Sequence, residues 1–297
     1  MAIKKIFIAG CGGMLGKAFY DEFKIDYQLT CSDIDLNEDW LIYQDFRDLN
    51  SYRDTVVDSN PDILIHLGAH TDLEYCENNI EDAYKTNTLS VENATYIANE
   101  LNIPLVYIST AGIFDGSKDI FDDWDSPNPM CVYARTKFLG EEIVKENCKR
   151  YFIFRAGWMM GGFNKDKKFI FKIIKQIECG VKELNIVNDK NGTPTYTVDF
   201  AKNVRAILEK EFYGLYNLVC SGITTRVEVT REILKILKKE KDIKINEVNS
   251  DFFLKTYFAK RPKSERLINR KLNLRGLNQM RDWKIALKEY LNNYNLK

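Results

Sequence analysis

KKIFIAGCGGMLG, at residues 4–16, is the stretch that determines the fold of this chain. Its first half is a short apolar run that predicts a strand. Gly10, Gly13 and Gly16 follow at a three-residue spacing, and residues 17–23 have the composition of a helix. Glycine at these places lets the backbone turn tightly and approach a pyrophosphate, while the helix N-terminus points at its negative charge. The order of strand, glycine turn and helix therefore predicts dinucleotide binding over an ordinary strand-to-helix turn.

An acidic residue ends the second predicted strand, which covers residues 27–32. Asp33 at this place can accept hydrogen bonds from the adenosine ribose hydroxyls. Its charge, with that of Asp35, would repel the 2′-phosphate of NADP, so NAD is favoured over NADP, although a turn aspartate at a strand end shows the same pattern. Met14 and Leu15, on the glycine turn, are predicted to bind the same cofactor.

Strands and helices alternate through the first two thirds of the chain. Further buried strands are predicted at 63–69, 104–108 and 150–154, a long helix at about 76–102, and a long turn at 188–196. This alternation predicts an α/β fold with a doubly wound parallel sheet of the Rossmann type.

Ligands of such sheets bind outside the carboxyl ends of the strands. Several residues are predicted to lie at such ends: Gly10, Asp33, Gly68, Ala69, Thr110 and Arg155. Asp45 is a candidate partner for the adenine amino group, with a solvated loop carboxylate as the alternative, and its neighbour Phe46 is placed in the same cofactor site.

Tyr133 and Lys137 are four residues apart on a predicted helix and therefore share one face. A tyrosine phenol has an unperturbed pKa near ~10, and an ammonium one turn away lowers it. Tyr133 could then donate a proton to a developing alkoxide. The pair alone is also typical of a solvated helix face.

The composition excludes several other classes of protein. Lysine plus arginine equals aspartate plus glutamate, at 43 each, so no basic excess points to nucleic acid. No apolar run is long enough to span a membrane and no signal region is recognised, so a cytoplasmic protein is expected. Seven scattered cysteines without a CxxC motif indicate reduced thiols. His66 and His70 are interpreted as strand-end residues, and no metal site is predicted.

The chain resembles the extended short-chain dehydrogenase/reductases, and among them the dTDP-4-dehydrorhamnose reductase family. The segments that carry the resemblance follow the family's order along the whole chain: the glycine turn, 68–72, 108–110, 114–116, 133–137, 155–158, 192–195 and 261–264. The resemblance implies NAD(P)H-dependent reduction of the C4 ketone of a nucleotide-linked 4-keto-6-deoxyhexose, in the synthesis of surface polysaccharides.

The resemblance also assigns roles to residues. Tyr133 would supply the proton, Lys137 would hold the nicotinamide ribose, and Thr110 would orient the ketone. On the substrate side, the resemblance implies contacts from Thr71, Trp158 and Arg261. A buried core tryptophan is the alternative for Trp158. The partner is thus a nucleotide-sugar, and a homodimer is expected.

Two positions depart from the family pattern. The family usually has Asp-Tyr after the catalytic threonine, where this chain has Ala111 and Gly112, and the usual Asp-Gln of the long turn is Asp189-Lys190. The missing tyrosine removes a substrate-side hydroxyl and ring, which affects the choice of sugar more than the redox chemistry. An epimerase or dehydratase of a nucleotide sugar, a different 4-keto-sugar reductase and a non-catalytic nucleotide-binding homologue remain as alternatives.

We predict two domains. Residues 1–160 and 191–220 would form the dinucleotide-binding Rossmann domain, and residues 161–190 and 221–297 a smaller α/β substrate-binding lobe.

Overall fold

The computed structural model of the protein describes residues 4–294. Its strands are β1 (Lys5–Ala9), β2 (Gln28–Asp33), β3 (Leu41–Tyr43), β4 (Ile63–His66), β5 (Leu105–Thr110), β6 (Tyr151–Ala156), β7 (Trp158–Met160), β8 (Glu183–Val187), β9 (Asn191–Gly192), β10 (Pro194–Tyr196), β11 (Gly214–Asn217), β12 (Thr224–Thr225), β13 (Lys244–Val248) and β14 (Ser264–Glu265).

The α-helices are α1 (Gly16–Phe23), α2 (Leu49–Ser59), α3 (Leu73–Asn78), α4 (Ile80–Tyr84), α5 (Ser90–Glu100), α6 (Val132–Asn147), α7 (Phe169–Glu178), α8 (Thr197–Leu208), α9 (Arg226–Ile236), α10 (Arg270–Leu274) and α11 (Trp283–Asn293). No helix in residues 4–294 is both long and apolar enough to cross a membrane.

Seven strands form one parallel sheet in the order β11-β6-β5-β4-β1-β2-β3. Ile8 of β1 pairs with Cys31 of β2 on one side and with Ile65 of β4 on the other. The strand order changes direction between β1 and β4, and open α/β sheets bind ligands beside such a switch point. The predicted doubly wound parallel sheet is confirmed.

Helices cover both faces of this sheet, which explains why its central strands are continuous apolar runs. On one face, Phe19 of α1 packs against Phe200 of α8, with ring centroids 6.3 Å apart. On the other face, Tyr52 of α2 and Val91 of α5 are fully buried in a second cluster. The two clusters hold β1, β4 and β5 rigidly, so the residues at their carboxyl ends have fixed positions.

The prediction of one helix over 76–102 is wrong. The chain there forms α3, α4 and α5, with a π-helical turn at Lys85–Leu89 between the last two. The side chain of Asn87, inside this turn, exchanges hydrogen bonds with both backbone groups of His70 and with Thr136. These tertiary bonds stabilise the irregular turn, and helical propensity contains no information about them.

The predicted turn at 188–196 is also only partly correct, because it contains two short strands. β9 pairs with β12 and β14, and β10 pairs with β7. Asp48 caps the N-terminus of α2, since its carboxylate accepts hydrogen bonds from the amides of Asn50 and Ser51 at 3.1 and 3.2 Å.

β8 and β13 form a separate parallel pair, with Leu184 opposite Ile245. The buried residues Ile173 of α7 and Ile233 of α9 belong to the same apolar cluster as Leu184. The division into two domains stays a prediction, and β9 pairs with strands that this division assigns to the lobe.

Candidate active site

A cleft of about 1200 Å³ opens at the carboxyl edge of the sheet. All but one of the site residues predicted from the sequence line it: Gly10, Gly13, Met14, Leu15, Asp33, Asp45, Phe46, Gly68, Ala69, Thr71, Thr110, Tyr133, Lys137, Trp158 and Arg261. The exception is Gly16, which packs beneath the turn. The cleft is larger than the roughly 300–1,000 Å³ of a typical small-molecule site.

Glycines form the floor of one end of the cleft because the backbone segments there are in contact. Gly10 has a φ of +77°, and a Cβ on it would lie 2.3 Å from the amide nitrogen of Gly68. A Cβ on Gly16 would lie 1.6 Å from the carbonyl oxygen of Cys11. The first contact brings the ends of β1 and β4 together, and the second brings the start of α1 against the turn.

Acidic side chains stand beside the glycine turn. The two carboxylate oxygens of Asp33 accept hydrogen bonds from the amides of Gly12 and Asp35, at 2.8 and 3.0 Å. Asp45 forms a bidentate pair with Arg47, with Nη2 to Oδ2 at 2.7 Å. This pair holds the pKa of Asp45 below its usual value. Sequence analysis did not anticipate Gly12 or Arg47 in the cleft.

An aromatic ring closes the wall behind this end. A Cβ on Gly68 would lie 2.2 Å from Cε1 of Phe46, so the ring packs directly on the glycine. The same ring meets His66 edge-on, with centroids 5.0 Å apart. His66 is fully buried, and burial lowers the pKa of its imidazole to about 3. It is therefore a neutral core residue at the end of β4.

Thr110, Tyr133 and Lys137 also line the cleft. Thr110 ends β5, and its side chain accepts a hydrogen bond from the amide of Gly112 at 3.1 Å. Burial raises the pKa of the Tyr133 phenol, while a hydrogen bond with the Thr110 side chain lowers it by less. The phenol is thus protonated at neutral pH.

Lys137 is almost completely buried, with 3% of its surface exposed. Burial lowers the pKa of its ammonium to about 7, and the charge of Glu141 opposes this change. Its Nζ lies 4.2 Å from the centroid of the Tyr107 ring and donates no hydrogen bond to any described residue. Lys137 is not one of the main influences on the pKa of Tyr133. This differs from the expectation that the Lys137 ammonium lowers the pKa of the phenol.

Helix α6 places the tyrosine and the lysine, and neighbouring elements hold the helix. The carboxylate of Glu77 accepts a hydrogen bond from the amide of Val132 at 2.8 Å, which satisfies a free donor at the helix N-terminus. The hydroxyl of Tyr107 donates to the carbonyl of Lys137 at 3.0 Å. Asn87, which the sequence analysis did not single out, joins α6 to the loop at His70.

Trp158 also lines the cleft, and three other residues contact its side chain. Its Nε1 donates to Oε2 of Glu265 at 2.7 Å, and the Arg226 guanidinium lies 4.4 Å from its ring centroid. A Cβ on Gly192 would lie 2.1 Å from its Cε2. The ring is half-buried in the cleft, which is against the alternative of a buried core tryptophan.

Two more predicted substrate residues are engaged in contacts across the cleft. The Nζ of Lys168 donates to the carbonyl and the hydroxyl of Thr71, both at 2.9 Å. Arg261 forms a bidentate pair with Glu74 at 2.7 and 2.8 Å. Both contacts join residues that are far apart in the sequence.

Arg155 lies near the carboxyl end of β6, as predicted, but its side chain does not line the cleft. It is 2% exposed and forms a bidentate pair with the fully buried Glu141 of α6, with Nη2 to Oε2 at 2.7 Å. In the part of the chain that the structure describes, no group of three or more His, Cys, Asp or Glu side chains is placed to hold a metal ion. The seven cysteines are free thiols, and all except Cys179 are buried.

The chain is similar to known proteins over most of its length. The family model of the RmlD substrate binding domain matches residues 4–296. The dTDP-4-dehydrorhamnose reductase of Escherichia coli K12 is 30% identical over 259 residues, which cover 84% of this chain and 85% of that protein.

Two solved structures have the same fold over nearly the whole chain. The dTDP-4-dehydrorhamnose reductase of Clostridium acetobutylicum superposes with a TM-score of 0.88 at 30% identity, covering 97% of this chain and 98% of that one. The enzyme of that name from Bacillus anthracis, solved in complex with NADP, gives 0.90 at 26% identity, covering 98% and 100%. The resemblance inferred from the sequence is confirmed, and the chain belongs to the family of the RmlD substrate binding domain.

Proposed function

We propose that this protein is an NAD(P)H-dependent reductase of the C4 ketone of a nucleotide-linked 4-keto-6-deoxyhexose, acting in the synthesis of surface polysaccharide. One observation carries the proposal: Thr110, Tyr133 and Lys137 line the same cleft as the glycine turn. The relatives named dTDP-4-dehydrorhamnose reductase support it. The Ala111-Gly112 pair lacks the acidic residue that a dehydratase would use to move protons.

The residues at the glycine end fit a nicotinamide dinucleotide. The tight turn at Gly10, Gly13 and Gly16 would hold the pyrophosphate, with Met14 and Leu15 beside it. Asp33 would accept from the adenosine ribose, while Asp45 and Phe46 would border the adenine. Gly68 and Ala69 would contact the cofactor along the end of β4.

When bound, the reduced cofactor supplies the hydride that reaches the ketone carbon. Tyr133 donates its phenolic proton to the ketone oxygen as that oxygen gains charge. The hydroxyl of Thr110 donates to the same oxygen and orients it. Lys137 would hold the nicotinamide ribose through its free Nζ donors and, when charged, would stabilise the phenolate left on Tyr133. Burial keeps Tyr133 protonated at neutral pH, as a reductase requires.

The opposite wall would bind the substrate. The half-buried ring of Trp158 offers an apolar face to the sugar. Thr71 and Arg261 are proposed substrate contacts that Lys168 and Glu74 hold in position across the cleft.

We further propose that NAD is preferred over NADP. Support comes from Asp33, whose carboxylate is held by two backbone amides beside the glycine turn and would repel a 2′-phosphate. The similar Bacillus anthracis structure contains NADP, so the preference needs a direct test. A cytoplasmic location and a homodimer also stay proposals.

The test is to mix the protein with dTDP-4-dehydrorhamnose and either NADH or NADPH, and to follow the loss of reduced-nicotinamide absorbance. Oxidation by the unmodified protein is expected. Tyr133→Phe should lower kcat by about 100-fold or more, because general-acid catalysis contributes about that much, with little change in cofactor affinity. Tyr96→Phe is the matched control, since Tyr96 is 60% exposed and lies outside the cleft. Cofactor binding without oxidation would refute the proposed reaction.

A further inference from the structure

A space opens next to the reaction centre where the family usually carries a tyrosine. The residue here is Gly112, whose amide donates to Thr110. A Cβ on Gly112 would meet Oε1 of Glu265 at 3.4 Å and the hydroxyl of Thr110 at 3.5 Å. The carboxylate of Glu265 therefore points into the space that the glycine leaves.

Glu265 is held in this position by its other oxygen. Oε2 accepts the hydrogen bond from Nε1 of Trp158 at 2.7 Å. The indole itself is fixed by contact with Gly192 and by the Arg226 guanidinium on its face. The carboxylate is thus oriented by a rigid ring, as a recognition group must be.

The second oxygen of this carboxylate is available to a ligand. Among the described residues, no hydrogen-bond donor reaches Oε1, and Glu265 lines the cleft with Tyr133. Oε1 of Glu265 and the hydroxyl oxygen of Thr110 lie 3.4 and 3.5 Å from the same Cβ position on Gly112. The two oxygens are therefore no farther apart than the sum of these two distances. A sugar whose ketone meets Thr110 would place the substituent of a neighbouring ring carbon within reach of Oε1.

We propose that Glu265 is a specificity-determining residue, whose free carboxylate oxygen accepts a hydrogen bond from a hydroxyl or ammonium group beside the sugar ketone. This inference rests on the proposed function and adds the chemistry of its substrate. An ionised carboxylate only accepts hydrogen bonds, so the sugar must bring the donor. A sugar without one would leave a desolvated carboxylate oxygen unpaired.

Glu265 could instead serve only to orient Trp158, and binding measurements separate the two roles. The probes are dTDP-4-dehydrorhamnose and its 3-deoxy and 3-amino-3-deoxy analogues. Their dissociation constants are measured by calorimetry with the oxidised cofactor present, so that the ketone is not reduced. The variants are Glu265→Ala and Glu265→Gln.

Glu265→Ala should weaken the binding of dTDP-4-dehydrorhamnose and of its 3-amino analogue by about tenfold or more, because each loses a hydrogen bond to a charged group. The 3-deoxy analogue should bind with the same affinity to the variant and the unmodified protein. Glu265→Gln keeps an acceptor for the indole N–H but removes the negative charge. Its largest loss of binding affinity is therefore expected with the amino sugar, whose ammonium group is positively charged.

An equal loss for all three sugars would overturn the inference, because it would mean that Glu265 acts only through Trp158. So would no loss at all, or no binding of any probe to the unmodified protein. Glu247→Ala is the control, because Glu247 is exposed, pairs with Arg231 and lies outside the cleft.

Turnover with reduced cofactor is measured separately and tests the proposed function. Discrimination between the sugars without turnover would refute the reductase activity and leave the recognition by Glu265. Turnover without discrimination would refute the recognition and leave the activity.

Discussion

Removing one partner of the buried ion pair between Arg155 and Glu141 should strongly destabilise the protein. The two side chains are 2% and 0% exposed, and the carboxylate accepts three hydrogen bonds from the guanidinium, between 2.7 and 3.2 Å. The guanidinium also lies 5.2 Å from the centroid of the Phe114 ring, and its Nη1 has no partner among the described residues. There is therefore no second anion to replace Glu141.

Glu141→Gln should lower the free energy of unfolding by about 3–5 kcal/mol, the usual cost of leaving a buried charge unpaired. This is a large part of the roughly 5–15 kcal/mol by which most domains are stable. Unfolding by urea, followed by circular dichroism, measures the change. Glu141→Leu combined with Arg155→Met should recover much of the loss, because the desolvated charges are then both removed.

The neighbouring residue of the same helix is a matched control. Glu142 pairs with Lys145 at the surface, where the two side chains are 35% and 34% exposed. Glu142→Gln should cost less than about 1 kcal/mol, as surface pairs do. If Glu141→Gln cost no more than Glu142→Gln, burial would not have the electrostatic effect assigned to it here.

Three further predictions concern the cleft. Lys137 should titrate near pH 7 in ¹³C-lysine spectra of the cofactor-free protein, because its pKa falls on folding from 10.5 to about 7. The unfolded chain therefore binds more protons between these pH values, so the free energy of unfolding should rise as the pH increases from 7 to 10.5. Lys137→Met should abolish this rise. A titration near 10 would contradict the burial argument. Asp33→Asn should raise the NADPH-to-NADH ratio of kcat/KM by about fivefold, for ~1 kcal/mol of repulsion removed, and an unchanged ratio would exclude Asp33 from cofactor choice. Gly10→Ala should lower the free energy of unfolding by about 2 kcal/mol or more and weaken cofactor binding, because the new Cβ would overlap Gly68. Gly180 has a similar φ of +76° but no neighbour near the Cβ position, so Gly180→Ala should lower it by only about 1 kcal/mol. Equal losses of stability would show that the overlap is unimportant.

Much of the fold and of the site could be predicted because the relevant signals are local. The strand, glycine turn and helix at residues 4–23 are contiguous, and Tyr133 and Lys137 are one helical turn apart. Parallel strands buried on both faces are apolar throughout, which is visible without knowing their neighbours. These patterns predicted the sheet and the residues of the glycine turn, whereas the family and the substrate residues Thr71, Trp158 and Arg261 were inferred from the resemblance to known sequences.

The predictions failed where distant contacts outweigh local propensity. The helix predicted over 76–102 is interrupted because Asn87 bonds to His70 and Thr136. The contact of Arg155 with Glu141 has no local signal in the sequence either. The pKa of Lys137 depends on burial by the surrounding fold, and no spacing rule contains that quantity.

The sequence by itself determined the individual strands of the sheet, the glycine turn and the one-turn spacing of Tyr133 and Lys137, because each depends on residues within a few positions of one another. Only the tertiary structure decided that Glu265 stands opposite Gly112, with 152 residues between them, and that Arg226 covers Trp158. Chain connectivity imposes the first kind of contact. The second kind exists only once segments that are distant in the sequence have come together around the cleft, and this packing shapes the part of the cleft that we propose selects the sugar.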